Sequence, residues 1–112
     1  MDNAWLPYDN GKTLGATGTE NGIIRADEKY PLGARITLEE NGYQPWGITC
    51  GVYGSMVHTT FASTETEARE KYEAMKAEIG QFLEYIESDA VSEDDAVDIE
   101  IEWCTKFSDK YI

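Results

Sequence analysis

The stretch GITCGVYGSMVHTTF, residues 47–61, holds the only histidine of the chain, His58, and one of its two cysteines, Cys50. A cysteine and a histidine within hydrogen-bond reach, about 2.6–3.2 Å, make the pair that activates a thiol nucleophile. Whether these two meet depends on the strands that carry them. Gly54-Ser55 suits a two-residue type II′ turn with Gly first. That turn pairs Tyr53 with Met56, Val52 with Val57, Gly51 with His58 and Cys50 with Thr59. Directly paired residues point to the same side of a sheet. Ile48, Cys50, Val52, Val57 and Phe61 then share an apolar face, and Thr49, Gly51, Tyr53, Met56, His58 and Thr60 share the other. In this register Cys50 and His58 lie on opposite faces, so no nucleophile pair is expected. Cys50 reads as a small core residue.

The second face has its own chemistry. Gly47 and Gly51 leave the sheet bare of side chains, and Thr49, Tyr53, His58 and Thr60 would rim that floor with hydrogen-bonding groups. A small polar ligand or a peptide is the expected occupant.

Other motifs fail on spacing. Gly11-Lys12-Thr13 ends like a phosphate-binding loop, but Leu6 stands where that motif requires a glycine. No paired-cysteine, zinc-helix, nucleophile-elbow or dinucleotide-binding motif occurs. The acids of DAVSEDD lack the central Gly and the spaced ligands of a calcium loop. No catalytic residue, metal or cofactor is therefore assigned.

Charge is the strongest anomaly. The chain carries 9 Lys and Arg against 22 Asp and Glu, a net charge of −13. Between residues 84 and 102 there are nine acids and no base. Such a field opposes folding by self-repulsion, which a basic partner protein would offset by steering and complementarity. Glu84, Glu87, Asp94, Asp95, Asp98, Glu100 and Glu102 are the expected partner-binding residues. The same charge makes nucleic acid and anionic membranes poor partners.

The elements that must position these groups are legible in outline. GARITLEE alternates Ala34, Ile36 and Leu38 against Arg35, Thr37 and Glu39, a strand with one buried face. A loop of Glu40, Asn41 and Gly42, with Gly42 left-handed, would pair Ile36 with Trp46 and Ala34 with Ile48. GTENG, residues 18–22, marks an earlier turn between KTLGAT and GIIRADE. Thr64 and Glu67 form a capping box, and Ala68, Tyr72, Met75, Ile79, Phe82 and Ile86 make one apolar helical stripe. Gly80 within that helix marks close contact with the sheet. VDIEIEW alternates strictly and favours a C-terminal strand. Ser92 before Glu-Asp-Asp gives the alternative, a second helix.

At 112 residues, 41% of them apolar, the expectation is a single α+β domain over residues 1–112. Its antiparallel meander of about four to five strands is covered on one face by the long helix. The start, MDNAWLPYDNG, lacks the basic and apolar regions of a signal peptide, and no apolar run approaches the roughly 18 residues of a membrane span. Two cysteines are too few for a disulfide framework. The expectation is a cytoplasmic, non-enzymatic binding domain that engages a basic protein through residues 84–102. The alternative is a small-molecule binder, or an enzyme without a standard motif, on the Thr49, Tyr53 and His58 face.

Overall fold

The structure, a computed structural model, describes residues 4–112. The acidic start at Asp2 lies outside them. The fold is α+β. Strands β1 (Leu6–Pro7), β2 (Ile23–Tyr30), β3 (Ala34–Glu40), β4 (Trp46–Val52) and β5 (Met56–Ala62) pair antiparallel in chain order. Helices α1 (Glu65–Ile86) and α2 (Glu93–Lys110) follow. Among the described residues, no helix is long and apolar enough to cross a membrane.

One face of the sheet is covered. Ala34, Ile36, Leu38, Ile48, Cys50 and Val52 point to it and are buried, with Ile36, Leu38, Ile48 and Cys50 at 0% exposure. α1 lies against β3, β4 and β5 with the stripe read from its spacing, Ala68, Tyr72, Met75, Ile79 and Phe82. Thr64 caps it, its side chain accepting from the Glu67 amide at 3.2 Å. A Cβ on Gly80 would stand 3.3 Å from the Tyr30 ring of β2, so the glycine does mark where helix and sheet close up.

The C-terminal segment is a helix, which corrects the favoured strand. Ser92 accepts from the Asp95 amide, and three acids occupy the positive first turn. The alternation of Val97, Ile99, Ile101 and Trp103 is outweighed by a fourfold spacing that continues past it. Ile99, Trp103, Phe107 and Tyr111 turn to the core. Trp103 stacks between Phe82 of α1 and Phe107, at 4.3 and 4.8 Å between centroids. Val97 and Ile101 are left 62% and 61% exposed.

Both central hairpins depart from the expected registers, with different consequences. β3 and β4 pair Ile36 with Cys50 and Glu40 with Trp46, so the loop is longer than expected. Asn41, not Gly42, is the left-handed residue, at φ 60°. The slip relative to the expected Ile36–Trp46 pairing is an even number of residues, so every side chain keeps its face. In the second hairpin Val52 pairs with Met56, Cys50 with His58 and Ile48 with Thr60. The Ser55 amide donates to the Val52 carbonyl, and Gly54 takes φ 81° as the third residue of a four-residue turn. The loop gains one residue, and an odd slip reverses every face of β5. Val57 and Phe61 move to the open side at 79% and 39% exposure. His58 and Thr60 move to the covered side.

Candidate functional site

The expected site residues therefore separate. Thr49 stands on the open face of the sheet, and Tyr53, at the β4–β5 turn, lines the same groove there. His58 and Thr60 sit on the opposite side, where they fasten the C-terminus. His58 Nε2 lies 2.6 Å from the Tyr111 carbonyl. A carbonyl only accepts, so Nε2 carries the proton and donates. Thr60 Oγ1 donates to the Ile112 oxygen at 3.4 Å and has no exposed surface.

Cys50 and His58 are cross-strand neighbours after all. What argues against a thiol nucleophile is burial. Cys50 is wholly enclosed, and loss of water pushes its thiol up to about 12. The imidazole itself is tied to the C-terminus through its Nε2 bond to Tyr111. Among the described residues, no three His, Cys, Asp or Glu side chains converge as a metal site.

The open face carries a groove of about 980 Å³. Its floor is β3 and β4, with Thr37, Thr49 and Gly51 beneath it. A Cβ on Gly51 would find its nearest neighbour at 3.9 Å, so the glycine leaves real space. Gly47 leaves less, because a Cβ there would stand 3.6 Å from the Phe61 ring. The odd slip of β5 thus covers the Gly47 end of the glycine floor with Phe61 and puts Val57 beside Gly51 at the other end. Tyr53, Ser55 and Val57 form one wall.

Residues 13–19 form the opposite wall, and two buried carboxylates hold them there. Asp27, 3% exposed, accepts from Thr13 at 2.8 Å, from Arg35 Nε and Nη2 at 2.9 and 2.6 Å, and from Thr37 at 3.4 Å. Glu39, 2% exposed, accepts from the backbone amides of Glu20 and Gly22 at 3.2 and 3.0 Å. Gly18 packs on that carboxylate so closely that a side chain there would collide with it. Residues 15–17 bond back to the start of β2, through the Gly15 amide to the Ile24 carbonyl and the Ile24 amide to the Ala16 carbonyl, which places the turn expected at GTENG. Arg35 also stacks under the Tyr8 ring, 3.6 Å from its centroid. Its hydrogen bonds to Asp27 push its pKa above the usual arginine value.

Thr49, Gly51 and Tyr53 share one face in the sequence reading, and all three line the groove, but that reading does not single out Arg35, Asp27, Glu39 or the residue 13–19 wall. Arg35 and Glu39 fell on the polar side of β3. The available signal was Asp27 and Arg35 on adjacent strands of one hairpin, a charge pair on a face otherwise rich in Thr and Gly.

The acids of the C-terminal half are also rearranged. On a helix Asp94, Asp98 and Glu102 follow at fourfold spacing on one exposed side, and Glu100 leaves them. A C-terminal strand would have put Asp98, Glu100 and Glu102 on one side together, and the helix separates Glu100 from the other two. Glu84 accepts from the Tyr30 hydroxyl at 3.0 Å, Asp95 from Ser92 Oγ at 3.0 Å, and Glu102 pairs with Lys106 at 2.8 Å. Glu87 closes α1 as its C-cap.

No family model, curated protein or solved structure matches the chain.

Proposed function

We propose that the protein is a binding domain that takes a small molecule in the open-face groove. The observation that carries this reading is a preformed concavity over Gly51, walled on both sides, in which neither wall depends on a ligand for its hydrogen bonds. Pockets of roughly 300–1,000 Å³ with a largely apolar lining and a few placed polar groups are the usual form of small-molecule sites. The groove replaces the expected Thr49, Tyr53, His58 and Thr60 set with one built from Thr37, Thr49, Gly51, Tyr53 and Val57. A reduced, cytoplasmic setting suits the two unpaired thiols. Titration of isotope-labelled protein with a fragment library tests the reading. The amide signals of Thr17, Thr49, Gly51 and Val57 should shift together for the same fragments. If no fragment moves them as a group, the groove is not a binding site.

A second reading, a basic protein partner at the acidic C-terminal half, is favoured by the Asp94, Asp98 and Glu102 stripe. All three are exposed, beside Val97 and Ile101. Changing the stripe to Asn, Asn and Gln should abolish a salt-sensitive association and leave groove binding intact.

A further inference from the structure

We infer that the ligand of the groove is a neutral, largely apolar and flat molecule, rather than an ion of either sign. The inference rests on the groove being a binding site.

The charge balance of the lining carries it. Asp and Glu make up 22 of 112 residues, yet among the described residues neither lines the groove. A cation drawn by the −13 field would find no carboxylate there to replace its water. Among the described residues the only charged one in the lining is Arg35, and two of its three nitrogens are committed. Its Nε and Nη2 are spent on Asp27, whose side chain is fully buried, and Tyr8 covers its plane. An anion would therefore meet a neutralised pair while entering against the field of the whole chain.

The hydroxyls at the floor of the groove are committed in the same way, while those of Thr17, Thr19, Tyr53 and Ser55 on its walls are left to solvent or to a few hydrogen bonds with a neutral ligand. Thr13 and Thr37 donate to Asp27, and Thr49 and Thr59 bond each other at 3.1 Å. Among the described residues, no buried side-chain nitrogen or oxygen is left without a partner. A floor whose polar groups are satisfied gains nothing from a strongly polar ligand and loses nothing by excluding water. The apolar surface on offer is Ala16, Ile24, Tyr53, Met56, Val57 and the bare backbone over Gly51. A planar apolar body lying on that glycine would lose the most surface to the sheet.

The test uses three dyes of similar size and different charge: neutral Nile red, anionic anilinonaphthalene sulfonate and cationic thioflavin T. Nile red should bind one per chain, about tenfold or more tighter than either ion. Its affinity should change less than about twofold between roughly 0.05 and 0.5 M salt. Gly51→Leu should weaken Nile red by about tenfold or more by filling the floor. That variant should fold, because its Cβ has room and a strand interior prefers a side chain to glycine. A Val97→Ser, Ile101→Ser double variant removes the exposed apolar patch of α2 and should leave binding unchanged. Tighter binding of either ion, lost in Gly51→Leu, would overturn the neutral ligand and keep the groove. Binding of no dye at the groove, or loss only in the α2 variant, would overturn both.

Discussion

The two faces of the sheet hold together for different reasons. The covered face is apolar by alternation along β3 and β4, and α1 seals it with one helical stripe. The open face has no such stripe. Its cover is an irregular segment pinned by two buried carboxylates, and the part left uncovered is the groove. Apolar burial is non-directional and closes over whatever it can reach. Hydrogen bonds to a carboxylate are directional, so they can hold a wall at a distance from the floor. A preformed concavity therefore appears on the face that packs by polar contacts.

Breaking the covered face should have the largest effect. Ile48→Ala removes a side chain with no exposed surface from the middle of β4 and should cost about 4 kcal/mol. Urea unfolding measures it, and a cost below about 1 kcal/mol would place Ile48 outside the core.

The open face breaks by a different route. Arg35→Ala removes few apolar contacts but leaves the enclosed Asp27 carboxylate with Thr13 and Thr37 alone. We expect a loss of about 3 kcal/mol, in the range for stripping one partner from a buried pair. Double substitution of Arg35 and Asp27 by Leu should cost less than Arg35→Ala, because no unpaired charge remains. A double variant that is worse than Arg35→Ala would show that the wall depends on hydrogen bonding, not on charge compensation.

The difference between the faces also explains what was legible. The strands, α1 and its cap follow local patterns, because alternation and fourfold spacing are properties of neighbouring residues. The face assignment in β3 and β4 survived a wrong loop length because the slip was even. In β5 the slip was odd, and nothing in MVHTTFA distinguishes the two outcomes: Val57 and Phe61 are as apolar as a core requires. His58 and Thr60 turn inward to bond Tyr111 and Ile112, more than fifty residues away. That information exists only once α2 is a helix. The groove wall was hidden for the same reason. Asp27 and Glu39 look like ordinary surface acids until residues 13–22 fold over them.

Cys50 sharpens the comparison through pH. Its thiol titrates near 9.0 in water and near 12 in the covered face, because burial opposes the thiolate. The folded state therefore holds the proton more tightly. This contribution to stability is complete below about pH 9 and is lost as pH rises toward 12. By roughly pH 10.5 the loss from this group should reach up to about 2 kcal/mol. Tyr72 and Tyr111, also raised by burial first, act in the same direction. Cys50→Ala isolates the thiol: its stability should fall less steeply than wild type above pH 9. Parallel slopes would mean that the site admits water.

The smallest effect separates the two registers of β5. Val57→Ala removes two methyl groups from a side chain that is 79% exposed on the open face. Surface changes of this kind stay within about 0.5 kcal/mol. Thr60→Ala, three pairs along the same strand, removes a fully enclosed hydroxyl and methyl. It also loses the bond to Ile112 and should cost about 1–2 kcal/mol. In the register with Val52 opposite Val57 the order reverses, since Val57 would join Ile48 and Cys50 in the core and Thr60 would face water. The ratio of the two costs, measured by urea unfolding under one set of conditions, therefore reads the parity of the β4–β5 loop. A Val57→Ala loss that exceeds the Thr60→Ala loss would restore the two-residue turn. It would return His58 to the open face opposite Gly51 and take Val57 out of the groove wall.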